Sequence, residues 1–258
     1  MSERVYRTEA LILRRGDLGE ADRWLMLATP TGKRRVKARG VRKTTSRLAG
    51  HIELFTHVDM LLARGRSFDI VTQSQVISPF TRIHADLARL GGAYYVAELY
   101  DAFTCDGEEQ QTLFTLLQKT FHALERIDHG DLVLRTYELQ LLHAAGYQPS
   151  LHTCPVCQTP LDETAHQLSA TLGGVLCMDH AHTDSAAQPI SLRAFKVLRY
   201  LQRESWTNIE RLHLSDDVRE EIERLLRWYL RHMLEHDLKT VAFLETIDHP
   251  QIRPTIRI

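Results

Sequence analysis

The apolar pattern of this chain changes period near residue 80, and that change limits what it can fold into. Ahead of it, short apolar runs are separated by turn-forming residues. Tyr6–Leu13 is broken by Gly16, Asp17 and Gly19, and Trp24–Ala28 is followed by Thr29-Pro30-Thr31-Gly32. Lys33–Gly40 alternates charged and small residues. Phe55–Ala63 precedes a turn at Arg64-Gly65-Arg66, and Phe68–Ile77 closes the series. Five short strands at this spacing predict a small barrel or meander rather than βαβ units.

Past that point the spacing is helical. Leu87, Leu90, Tyr94 or Tyr95, and Leu99 mark one helix despite Gly91-Gly92. Leu113, Leu116, Leu117, Phe121 and Leu124 mark a second. Leu134, Tyr137, Leu141 and Leu142 mark a third, ending at Gly146 with Pro149 beyond. Leu192, Phe195, Leu198 and Leu201 resume the period, and Val218 to Met233 form a long last helix capped by Ser215. The expected class is α+β and multidomain: a β head over 1–80, a helical body over 81–150 and 186–258, and an insert over 151–185.

The insert carries Cys154-Pro-Val-Cys157 and Cys177-Met-Asp-His180, with 19 residues between the two pairs. Two such knuckles at this spacing point to a structural zinc ribbon, each turn presenting two ligands to one ion. Cys154, Cys157, Cys177 and His180 are the expected ligands, with His182 a competitor for the fourth place. A closed set of four leaves no position for a reacting water. Metal binding of roughly 10–16 kcal/mol is ample to fold a piece with so little core of its own. Cys105 reads as a plain small residue, and His232 and His236 as a solvated helix face. Four cysteines in 258 residues are too few for a disulfide framework and fit a reducing compartment, hence the cytoplasm.

A net charge of −1 hides an asymmetry. Residues 1–80 hold 15 Lys/Arg against 8 Asp/Glu, and the remainder 17 against 25. The head is therefore expected to meet a polyanion, and the acidic body a different partner. Lys33, Arg34, Arg35, Lys37, Arg39, Arg42, Lys43 and Arg47 place eight cations in 15 residues without an acid. On a strand, Lys33, Arg35, Lys37 and Arg39 share one face at roughly 6.6 Å intervals, a spacing suited to successive phosphates. Gly40–Leu48 reads as a mobile basic connection, with Thr44, Thr45 and Ser46 as further phosphate donors. No base-reading helix is evident. Tyr6, Trp24, Phe55 and Phe68 could stack on bases, but their apolar surroundings favour the core.

No run is long enough for a membrane span, and no leader-like apolar segment follows Met1-Ser2-Glu3-Arg4. No GxxxxGK[ST], GxSxG or HExxH pattern is present, so no nucleotide cofactor and no enzymatic activity is expected. His51-Ile-Glu53 with Cys154-Pro-Val-Cys157 gives a partial match to zinc-dependent nucleobase deaminases. That match fails at Thr153, where proline is required, and leaves Cys177 without a purpose.

Taken together, these segments resemble the RecO family of bacterial recombination and repair mediators. The likeness runs through Ala10–Arg23, Thr31-Gly32-Lys33, Ala38–Arg42 and Ser46-Arg-Leu48 in the head. In the body it runs through Arg135–Leu142, Gly146-Tyr-Gln-Pro149 and Gly173-Gly174. The resemblance implies an N-terminal OB-fold and a helical C-terminal domain with an inserted zinc module. It also implies binding of single- and double-stranded DNA and annealing of complementary strands. With RecR, such a protein loads RecA onto DNA coated by single-strand-binding protein. The family pattern closes the zinc site with a second CxxC, where this chain has His180. A general OB-fold single-stranded DNA or RNA binder without mediator activity is the competing reading.

Overall fold

The computed structural model describes residues 4–105, 110–164, 166–203 and 206–248. The chain divides into two compact units, one of residues up to Ala93 with Leu99–Glu125, the other of Tyr94–Glu98 with the residues from Arg126 onward.

The first unit is built on a closed barrel. Its strands are β1 (Val5–Leu18), β2 (Asp22–Thr29), β3 (Gly32–Ala38), β4 (His57–Ala63) and β5 (Asp69–Ser78), in the order β1-β2-β3-β5-β4 with β4 returning to β1. This is an OB-fold barrel. The antiparallel pairings are long: seven residues of β2 face seven of β3. The one parallel seam, β3 to β5, is short, with only Val36↔Asp69 and Lys37↔Ile70 in register. Alternate residues turn inward, and Ala10, Ile12, Leu25, Leu27, Val36, Ala38, Val58, Met60, Leu62 and Val71 fill the interior.

β1 is longer than its sequence indicates, continuing through Gly16 and Asp17 to Leu18. A register shift between Ile12 and Arg14 lets it stay paired with β2 as far as Leu18↔Asp22. Gly16 stays in the strand through its pairing with Trp24, and only glycine fits there because the indole lies against it; a Cβ would stand 2.4 Å from Trp24 Nε1. Residues 40–48 form an anchored loop rather than a mobile one. The Lys43 amide donates to Gly40 O, that of Ser46 to Lys43 O and that of Arg42 to Ala21 O, while Val41 is buried in the barrel.

Helices α1 (Thr81–Ala85), α2 (Leu87–Ala102) and α3 (Gln111–Arg126) follow. In the first unit α3 covers part of the barrel: Phe121 packs on Phe55 and Phe80, and Phe114 edges onto His57.

The second unit is organised around α4 (Gly130–Ala144), buried from Leu132 through Leu139 and packed against α5 (Leu192–Arg203), α6 (Trp206–Ile209) and α7 (Asp216–Leu234). α8 (Lys239–Asp248) follows α7. α4 ends in a Schellman motif: Gly146 is left-handed (φ 83°), its amide reaches His143 O, and the Tyr147 amide reaches Leu142 O. Ser215 holds the N-cap position of α7, but its side chain makes no capping hydrogen bond to the helix backbone. Between α4 and α5 lies a small antiparallel sheet of β6 (His166–Ser169), β7 (Gly174–Leu176) and β8 (Gln188–Ile190), in the order β7-β6-β8.

Candidate nucleic-acid interface and metal centre

The two knuckles of the insert are set by their turns. In the first, the Gln158 amide donates to Cys154 O and the Cys154 amide to Thr159 O, with Gln158 left-handed (φ 60°). The second begins where β7 ends: Cys177 opens a 3-10 turn over Met178–Thr183, and the His180 amide returns to Cys177 O. Gly173 is left-handed (φ 72°), as a tight turn there demands. Gly174 serves a different need, since a Cβ on it would stand 2.6 Å from Ser150 O. That close approach ties the insert to the chain just beyond α4.

Sγ of Cys154, Cys157 and Cys177 and a ring nitrogen of His180 lie within 4.8 Å of one another, a group able to hold a metal ion. Cys157 Sγ and Cys177 Sγ are 3.7 Å apart. A tetrahedron with arms of about 2.3 Å has sulfur–sulfur edges of about 3.8 Å, so the spacing fits zinc thiolate coordination. Cys177 Sγ and His180 Nδ1 are closer, at 3.1 Å. His182 is exposed and outside the group. Burial opposes ionisation of Cys154, but amides of Cys177, Cys157 and Val156 directed at its sulfur hold the thiol down at about 6. Neither His51 nor Glu53 joins the four donors, and Glu53 instead pairs with Arg15. Arg199 lies outside any sequence motif. It donates to Leu151 O at 2.7 Å and Leu161 O at 3.1 Å, on either side of the first knuckle, while stacking on Phe195 at 4.0 Å.

The eight cations of the head do not form one surface. Lys33, Arg35 and Lys37 lie on the outer side of β3, opposite the buried Val36 and Ala38. Arg34 alternates to the other side, over the Tyr6 ring at 5.7 Å and bonded to Thr31 Oγ1. Lys33 is nearly buried at 9% side-chain exposure and pairs with Asp101 at 2.7 Å. Lys37 pairs with Asp22 at 2.8 Å, and Asp22 also accepts from the Gly40 amide. The Lys37 ammonium first, then the Gly40 amide, holds the Asp22 carboxyl below its usual range. Arg39 falls just past the strand end, exposed. Arg42 fastens the loop by reaching Gly19 O and Asp17. Lys43 and Arg47 are exposed and form no ion pair among the described residues.

The aromatics divide. Phe55 is fully buried and Tyr6 half-buried, its hydroxyl donating to Asp69. Trp24 and Phe68 are not core residues. Trp24 is half-buried on the outer face, and Phe68 is 44% exposed. The Arg35 guanidinium lies over both rings, at 4.8 Å from Trp24 and 5.4 Å from Phe68. Alternation alone hides this, because the outer face of a barrel strand acquires its neighbours only from strand order.

The chain matches the family model described as Recombination protein O N terminal over residues 1–80 and that described as Recombination protein O C terminal over 84–242. The chain belongs to the RecO family. The DNA repair protein RecO of Roseiflexus sp. (strain RS-1) is 50% identical over 247 residues, which cover 96% of this chain and 87% of that protein. RecO of Dehalococcoides mccartyi (strain 195) is 36% identical over 96% of this chain and 98% of its own. That of Desulforamulus reducens is 34% identical over 95% of each. The N-terminal RecO match ends just after β5, and the C-terminal RecO match begins within α1 and ends within α8. DNA repair and recombination is thus the process to which this RecO-family chain is assigned. No helix among the described residues is long and apolar enough to cross a membrane.

Proposed function

We propose that this chain is a recombination-repair mediator of the RecO type that works without nucleotide hydrolysis. The barrel binds single- and double-stranded DNA, and the protein anneals complementary strands. With RecR it helps load RecA onto DNA coated by single-strand-binding protein. It acts in the cytoplasm, at the nucleoid. The observation that carries this reading is the exposure of Arg35 on the outer side of β3 and of Arg39, Lys43 and Arg47 on the anchored loop after it. Arg35, Arg39, Lys43 and Arg47 meet phosphates directly. Lys37 and Arg42 are shared with Asp22 and Asp17, and Lys33 and Arg34 hold the scaffold. Strand pairing needs no chemistry from the protein. It needs two polyanions brought together, and a cationic loop lowers that repulsion.

Cys154, Cys157, Cys177 and His180 hold one structural zinc ion in this reading. Its role is to neutralise and fix three sulfurs and an imidazole that otherwise have little core around them.

Annealing of complementary strands coated with single-strand-binding protein, without ATP, tests the proposal. Wild type should anneal, and the Arg35→Glu/Lys37→Glu/Arg39→Glu variant should not. Its salt dependence should flatten by about two to three units of slope, since each lost phosphate contact removes roughly 0.7–0.9. Binding without annealing by wild type would reduce the protein to a general OB-fold binder. An unchanged salt slope in the variant would remove β3 from the interface.

A further inference from the structure

The barrel's outer face carries more than charge. Trp24, on β2, lies against Gly16 of β1, where the absence of a Cβ makes room for the indole. Arg35, on β3, covers the Trp24 ring at 4.8 Å, and the same guanidinium covers Phe68, just ahead of β5, at 5.4 Å. The phenyl ring is 44% exposed. Its backbone sits in a tight turn. The chain doubles back so tightly that a Cβ on Gly65 would stand 2.0 Å from Phe68 O, and the Gly65 amide donates to Asp69 Oδ1. An apolar ring exposed to water beside a planar cation is a surface prepared for another flat group. Arg39, Lys43 and Arg47 stand in the adjoining chain segment, able to hold a phosphate backbone.

We propose that Trp24, Arg35 and Phe68 form a stacking platform for unpaired nucleobases, which makes this face of the barrel select single strands over duplex. A base enters beside Phe68 in place of the guanidinium, and Arg35 turns to the neighbouring phosphate. Bases within a duplex are stacked on one another and paired, so they cannot use the platform, while duplex phosphates still meet the cations. This inference rests on the reading that the barrel face binds DNA, and goes beyond it by naming what discriminates the strands.

Three probes separate the contributions: an oligothymidylate, a strand of equal length with abasic sites throughout, and a duplex. Wild type should hold the thymidylate about tenfold more tightly than the abasic strand. Phe68→Ala, which removes an exposed ring, should erase most of that difference and leave duplex affinity and salt slope unchanged. In a Trp206→Phe/Trp228→Phe background, Trp24 emission should be quenched by the thymidylate and not by the abasic strand. Equal wild-type affinity for the two strands overturns the platform while the DNA reading stands on its salt dependence. So does a Phe68→Ala variant that loses all three probes in parallel. Failure of wild type to bind any probe overturns the DNA reading, and the platform with it.

Discussion

Arg135 and Glu138 sit one helical turn apart on α4 with 4% and 0% of their side chains exposed, 2.8 Å from each other. Tyr95 donates to Glu138 Oε1 at 2.6 Å, and Arg135 reaches Glu223 O at 3.4 Å. Arg135 Nε and Glu138 Oε2 have no hydrogen-bond partner among the described residues, so the buried charges are only partly satisfied by their neighbours. Removing one member leaves an uncompensated buried charge, whereas removing both does not. Arg135→Met should cost about 3–5 kcal/mol in denaturant unfolding, and Arg135→Met/Glu138→Leu appreciably less. The sequence marks both residues as part of the family-like stretch but not as buried, because charged residues on a helix ordinarily face water. His57 on β4 makes a second case. It is 6% exposed, its Nε2 is 2.9 Å from Gln118 Nε2, and its Nδ1 has no partner among the described residues. Burial holds it below the ordinary histidine value of 6.5, with Glu9 and Asp59 opposing and His122 assisting. The unfolded chain therefore takes up a proton first as pH falls. Stability attributable to His57 is complete above about 6.5 and lost below it, toward the folded value. Denaturation midpoints at neutral and mildly acidic pH should converge in His57→Gln relative to wild type.

At the scale of elements, legibility followed the physics of each signal. Strands β2 to β5 and helices α3, α4, α5 and α7 follow from apolar period and turn residues. The α4 terminus follows from Gly146, since only a residue tolerant of left-handed backbone closes that motif so readily. The knuckles follow from their spacing, because two-residue gaps dictate which groups can face one point. Three things did not follow. β1 runs through Gly16 and Asp17 because its partner strand, not its own propensity, holds them. The order of residues 40–48 depends on Val41 entering the barrel. The exposure of Trp24 and Phe68 depends on which strands adjoin. The insert also makes the clearest element-scale prediction. A strong chelator should release one zinc per chain and raise hydrogen exchange across 150–190, with DNA affinity of the barrel little changed. Loss of DNA binding in step with zinc would show that the metal supports the barrel surface as well.

For the molecule as a whole, the basic segment of residues 1–80 falls inside the first compact unit, which also takes in Leu99–Glu125. The basic barrel lies within one compact unit, and α4 to α8 with the insert lie in the other. The barrel itself is unevenly closed. Four of its pairings are antiparallel and extensive, but β3 meets β5 through two residue pairs separated by more than 30 positions in sequence. Joining distant segments costs loop entropy that so short a seam recovers poorly. Amides at the start of β5 should exchange faster than those of β4 in native-state measurements, and bound single strands should slow them selectively. Arg35 adjoins that seam on one side and Phe68 on the other, so the barrel behaves as a strap with a small clasp, and a strand lying across both residues would fasten the clasp it rests on.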